Sequence, residues 1–91
     1  MSYVVVVRKK AIQNARLLPD KAKMVLKSLL KDLENGPVQS RYPHFGKLAG
    51  KNEYHCHLAY RWVATWRCEE DRLLVEVEYV GSRESAPYAK H

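Results

Sequence analysis

The sequence predicts an α+β domain in which two N-terminal helices pack on one face of a mostly antiparallel twisted sheet, in the order β-α-α-β-β-β. Three observations carry that prediction. An unbroken β-branched run, Tyr3-Val4-Val5-Val6-Val7, stands at the start of the chain. An apolar stripe with helical period follows it, edged by lysines. Between Tyr54 and Val80, three segments alternate with the period of two that belongs to strands. Helices grouped before strands, rather than alternating with them, give a two-layer fold with the helices on one side of the sheet. The 91 residues make one domain spanning 1–91, long enough for a single core.

Taken in order, Tyr3 to Val7 reads as a strand covered on both faces, because no polar residue interrupts it. Lys9 to Arg16 reads as a short helix with Ile12 and Ala15 turned inward. Leu17-Leu18-Pro19-Asp20 makes a turn in which Pro19 and Asp20 supply a helix start. In the helix that follows, Ala22, Val25, Leu26, Leu29, Leu30 and Leu33 form the inward stripe, and Lys23, Lys27 and Lys31 line the outside. That lysine line reads first as a solvated face, with RNA or ribosome contact as the alternative. Asn35-Gly36-Pro37 ends the helix: glycine takes the left-handed cap and proline prevents continuation.

Residues 38–52 form a polar connection carrying Arg41, Tyr42, His44, Phe45, Lys47 and Lys51, longer than ordinary loops. His44 and Phe45 read as a plug over the sheet edge, a functional role being the alternative. In the strand run that follows, His55 and His57 share one face, while Cys56 and Leu58 share the other. A three-residue loop, Leu58-Ala59-Tyr60, sets His57 opposite Arg61. A two-residue loop, Ala59-Tyr60, would send both imidazoles into the core. The first is preferred, since burying unpartnered imidazoles among tryptophans costs free energy. A two-residue turn at Glu70-Asp71 pairs Cys68 with Leu73, Trp66 with Val75, Ala64 with Val77 and Trp62 with Tyr79, giving one apolar face. Glu78 then lies across Val63 from His55, where it can orient an imidazole or pair with Arg61.

Charge is lopsided. The formal net charge is +6, but residues 1–51 hold eleven Lys/Arg against three Asp/Glu, and residues 52–91 hold five against seven. A basic half suits a phosphate backbone or an acidic partner protein, or is simply a solvated surface. The run Tyr3 to Val7 is too short for a signal peptide and is closed by Arg8-Lys9-Lys10. No stretch has the ~20 apolar residues of a membrane span. Cys56 and Cys68, both on the predicted core face, read as reduced thiols of a cytoplasmic protein.

His55, His57, Arg61 and Arg83 with Tyr88 on one open face suit RNA cleavage by the 2′-hydroxyl. That reaction needs a base for the 2′ proton, cations for the phosphorane and an acid for the leaving 5′ oxygen. Imidazole serves as acid or base near neutrality, and guanidinium matches phosphate oxygens bidentately. Tyr88 can stack on an unpaired base. A metal site built on His55-x-His57, with His44, His91, Glu78 or Cys68 as further ligands, is the competing use of these residues. No close, repeated ligand pairs stand in the sequence and Cys68 falls on the core face, so no metal and no cofactor are expected.

Leu48-x-Gly50, the strand with His55 and His57, the pair Tyr60-Arg61, and Gly81-Ser82-Arg83 followed by Tyr88 resemble the RelE/ParE superfamily of toxin–antitoxin toxins. The resemblance covers nearly the whole chain and lies in the order and spacing of short motifs. It implies a type II toxin, an mRNA endonuclease (mRNA interferase) whose concave sheet face binds mRNA on the ribosome. A cognate antitoxin that wraps the toxin is implied with it. Catalytic roles carry over to His55, His57, Arg61, Arg83 and Tyr88, and RNA contact is expected of Lys47, Lys51 and Arg67. Two histidines stand where the family usually has lysines, and the spacing from Arg83 to Tyr88 is one residue shorter. The alternatives are a ParE-like gyrase inhibitor without nuclease activity, or an inactive basic module acting with its antitoxin in a DNA-bound repressor complex.

Overall fold

The computed structural model of the chain describes residues 2–48 and 52–87. Its elements are β1 (Val4–Val7), α1 (Lys9–Ala15), α2 (Asp20–Asp32), β2 (Gly46–Leu48), β3 (Glu53–Ala59), β4 (Trp62–Glu69) and β5 (Leu74–Ser82), with single 3-10 turns at Leu33–Asn35, Glu70–Arg72 and Arg83–Ser85. The five strands form one sheet in the order β1-β5-β4-β3-β2. β1 runs parallel to β5 and every other neighbour is antiparallel. The expected α+β layering is therefore present, with β2 added inside the 38–52 connection. Only the cross-strand partners of Gly46, Lys47 and Leu48 on β3 make that segment a strand; its composition has no strong strand preference.

One core lies between helices and sheet. From α2 it takes Ala22, Leu26 and Leu29, with Leu33 just beyond; from the sheet it takes Tyr54, Cys56, Leu58, Ala64, Trp66, Cys68, Val75, Val77 and Val80. Val25 and Leu30 are half-buried at its margin. Both cysteines are free and buried, and burial pushes the Cys56 thiol up to about 12. α2 passes at Asp32 into the Leu33–Asn35 3-10 turn, and Gly36 ends it at φ 135° and ψ 168°, a conformation suited to glycine but not the left-handed cap expected from the sequence. No helix among the described residues is long and apolar enough to cross a membrane.

Four further local expectations are corrected. β1 is an edge strand with one face uncovered: Val5 and Val7 turn inward, while Val4 and Val6 are exposed. β-branched residues favour a pleated strand whether one face or both are packed, so the run alone does not distinguish them. On α1 the inward residue is Ala11, with Ala15 half-buried, and Ile12 faces solvent. Small side chains four apart let this seven-residue helix lie close on β5.

The β4–β5 connection is longer than two residues. Glu70–Arg72 forms a 3-10 turn, Leu73 follows at a φ of 48°, and Glu69 pairs with Leu74. Cys68 thus meets Val75 and Trp66 meets Val77, a slip of two that keeps each side chain on its expected face. A bulge then opposes Thr65 to Tyr79 and Ala64 to Val80, so Val80 enters the core and Tyr79 leaves it. The β3–β4 turn is Tyr60-Arg61, with Ala59 opposite Trp62 and the register irregular at Leu58. His57 therefore faces Val63 and His55 faces Thr65, and both imidazoles remain on the side away from the helices.

Candidate active site

The connection from Gly36 to Phe45 is tied down by polar contacts. Trp66 Nε1 donates to the Pro37 carbonyl at 2.9 Å, and Gln39 Nε2 donates to the carbonyls of Asp32 and Gly36, each at 2.9 Å. The Tyr42 hydroxyl donates to Asp32 Oδ2 at 2.6 Å, and Arg41 pairs with the same carboxylate. These two contacts hold the Asp32 carboxyl below the usual carboxylate range, the tyrosine bond being the larger cause. Phe45 stacks at 6.0 Å from Tyr54 and 6.2 Å from Trp66, so it is the plug expected from the sequence. His44 is not. It takes a φ of 56° and turns to the other side of the sheet, its ring centroid 4.3 Å from that of His57.

On that side the register stacks rows across the sheet. His57, Val63 and Gly81 make one row; His55, Thr65 and Tyr79 make the next; Glu53, Arg67 and Glu76 make the third. The face is not bare at its centre, since Val63 and Thr65 are buried between the larger side chains flanking them.

The first row carries the convergence. His57 Nδ1 lies 2.8 Å from the Tyr60 carbonyl, and the His57 amide donates to the Pro43 carbonyl at 2.8 Å. A carbonyl only accepts, so Nδ1 carries a proton and the tautomer with its lone pair on Nε2 is the one this contact selects. The next residue, Arg61, sits in the turn with its guanidinium 5.6 Å from the Trp62 ring centroid. Its carbonyl accepts the Arg83 amide at 2.6 Å, which brings the Arg83–Ser85 turn beside the Tyr60-Arg61 turn. Glu84 Oε1 lies 3.7 Å from Arg61 Nε.

His55 occupies the second row, half-buried. Its ring lies over Gly46: a Cβ there would come within 2.9 Å of His55 Nε2, so the close approach needs glycine. Burial, then the neighbouring His57 and His44, hold the His55 imidazole below its ordinary value.

The third row is occupied by ion pairs. Arg8, which follows β1, reaches Glu76 at 3.2 Å and Glu78 at 3.0 Å, and Arg67 lies 3.9 Å from each of the same carboxylates. Glu78 therefore faces Arg8 and Arg67, not an imidazole or Arg61, because the bulge shifts it away from the Val63 row. Burial outweighs these arginines and holds the Glu78 carboxyl above its ordinary value. Lys47 pairs with Tyr54 on β3 and stands 5.9 Å from that ring, on the helix side of the edge strand. Lys51 and Tyr88 lie outside the described residues.

The structure thus brings the backbones of His57, Arg61 and Arg83 to one end of the sheet, with the Arg61 guanidinium over the Trp62 ring, sets His55 one row below, and leaves Arg67, Glu78 and Lys47 apart from them. Arg8, His44 and Glu84 enter from positions the strand pattern does not mark. Among the described residues no group of three His, Cys, Asp or Glu side chains is arranged to hold a metal ion.

No family model matches the chain, and neither does any curated protein sequence. Solved structures do match it. A chain of the archaeal RelE–RelB complex from Pyrococcus horikoshii aligns with a TM-score of 0.80 at 19% identity, covering 94% of this chain and 100% of that one. The isolated E. coli RelE toxin aligns with a TM-score of 0.73 at 20% identity, over 96% and 90% of the two chains. The E. coli DinJ–YafQ toxin–antitoxin complex aligns with a TM-score of 0.73 at 18% identity, over 96% and 99%. At such identity the likeness is one of fold: two helices on a five-stranded, mostly antiparallel sheet.

Proposed function

We propose that this RelE-like fold is the toxin of a type II toxin–antitoxin system and cleaves mRNA on the ribosome. The observation that supports the reading is the meeting of the His57, Arg61 and Arg83 positions at one end of the sheet, through two short contacts to carbonyls of one turn, His57 Nδ1 to Tyr60 and the Arg83 amide to Arg61. In this reading His57 Nε2 removes the 2′ proton, and the two guanidiniums stabilise charge developing on the phosphorane. His55, half-buried one row below and favouring its neutral form, takes no proton in this scheme. Between α1 and the end of β5, a groove of about 520 Å³ includes Lys10 and Arg61 in its lining, room and charge for the strand leaving the site. Arg67, offset by Glu76 and Glu78, is a weaker RNA contact than the rim arginines in this account.

The partner follows from the same likeness. Two of the matched structures, the E. coli RelBE and DinJ–YafQ complexes, are described as toxin–antitoxin complexes, which supports a cognate antitoxin for this chain as well. The ribosome places the activity in the cytoplasm.

Two parallel assays test the proposal: cleavage of mRNA in a translating extract, and DNA supercoiling by gyrase. Cut mRNA with unaffected gyrase is expected, with cleavage abolished by His57→Ala. Inhibited gyrase with intact mRNA would instead make the chain a ParE-like inhibitor, and silence in both assays would leave only a binding module.

A further inference from the structure

The proposed chemistry leaves one proton unassigned, the one the departing 5′ oxygen must receive. We infer that His44 supplies it, acting as general acid beside His57 as general base; this rests on the nuclease reading above. Among the described residues three imidazoles stand on this side of the sheet, and the geometry gives them different work. His57 has its Nδ1 against the Tyr60 carbonyl at 2.8 Å, which directs the Nε2 lone pair outward as a proton acceptor. His55 has its Nε2 over Gly46 and is half-buried between strands, a poor position from which to donate to substrate. Burial also favours its neutral form. His44 is exposed, at the solvent side of the pair, where a substrate oxygen can reach its ring.

Its placement is built rather than incidental. The carbonyl of Pro43, one residue earlier, accepts the His57 amide at 2.8 Å, so the backbone of the loop is fastened to β3 where the two rings meet. His44 takes the left-handed conformation, φ 56°, which few side-chain-bearing residues adopt without a surrounding structure to hold them. The rings lie 4.3 Å apart between centroids, tilted by 40°. In-line displacement at phosphorus sets the attacking 2′ oxygen and the leaving 5′ oxygen at opposite apical positions. Two imidazoles side by side, each facing one of those oxygens, satisfy that geometry. The 2′ oxygen forms its bond to phosphorus as its proton passes to His57 Nε2. The bond from phosphorus to the 5′ oxygen breaks as that oxygen takes the proton of the His44 imidazolium. A 2′,3′-cyclic phosphate and a 5′-hydroxyl result, and exchange with water resets the pair.

The test uses a leaving group that needs no acid. An mRNA with a single 5′-bridging sulfur at the scissile position is compared with the ordinary mRNA on programmed ribosomes, under single turnover. His44→Asn is the variant of choice, because asparagine tolerates the left-handed backbone and leaves the loop unstrained. It should slow cleavage of ordinary mRNA about 10²-fold, yet cut the sulfur-linked mRNA at close to the unmodified protein's rate. His57→Ala should remain slow on both. Equal losses of His44→Asn on the two substrates, or no loss on the ordinary one, would overturn the assignment of the acid while leaving the nuclease reading intact. Failure of the unmodified protein to cut either substrate would overturn both.

Discussion

The amide of Arg83 donates a 2.6 Å hydrogen bond to the carbonyl of Arg61, joining two turns that are 22 positions apart in the chain. The backbones of both arginines are thereby held at the end of the sheet that carries His57, whose own Nδ1 sits on the carbonyl of Tyr60. The bond between the two turns is backbone to backbone, so the arginine side chains can be exchanged without dismantling it.

Replacing Arg61 or Arg83 by alanine should therefore leave the melting temperature nearly unchanged while lowering the cleavage rate about 10²-fold each. The double replacement should lose less than the product of the two, because both guanidiniums act on one phosphoryl group. Single-turnover rates on ribosome-bound mRNA measure this, and strict multiplicativity would argue that the two act independently.

Glu84 lies 3.7 Å from Arg61, a carboxylate standing where a phosphate would. Both side chains are mostly exposed, so the competition is weak and screened. Glu84→Gln should tighten RNA binding by about two-fold at low salt, and the gain should fade as salt is added. Anisotropy titrations at two ionic strengths would expose a salt-independent gain, which this account does not allow.

His55 ties the site to stability through pH. Its folded-state imidazole titrates below its ordinary 6.5, chiefly through burial. Between those two values the unfolded chain binds more protons than the folded one, so stability rises with pH. The stabilisation is fully present above 6.5 and is lost as the pH falls toward the lower, folded value. Urea midpoints followed from about pH 7.5 to about pH 5.5 should decline, and His55→Gln should flatten the decline. A slope unchanged by that replacement would point to another group.

Gly81 is required by close approach. A Cβ at this position would stand 2.6 Å from the Tyr79 hydroxyl, which donates to the Ser82 carbonyl at 2.7 Å. Gly81→Ala should cost about 1–3 kcal/mol by displacing that ring and its hydrogen bond. Tyr79→Ala should relieve part of the cost, so the pair would be less than additive in denaturant unfolding.

Local pattern carried much of this protein. The helical stripe of Ala22, Leu26 and Leu29 and the shared face of His55 and His57 follow from periods of 3.6 and two, which depend on the chain's own geometry. Even the wrong turn length at Glu70-Asp71 did no harm to the faces, because a slip of two residues preserves them.

What the pattern could not carry was anything set by a neighbour distant in the chain. Whether β1 lies at an edge depends on which strand it joins, and its valines would suit either place. The bulge between Thr65 and Trp66 moved Tyr79 out of the core and Glu78 into the grip of Arg8, some 70 positions earlier. His44 met His57 only because the 36–45 connection is pinned through Pro37 to Trp66 and through Pro43 to β3. Sequence alone determined which residue types were offered to each face of this sheet. Tertiary structure decided which of them meet, because hydrogen bonds and ion pairs between remote segments leave no periodic trace in the chain.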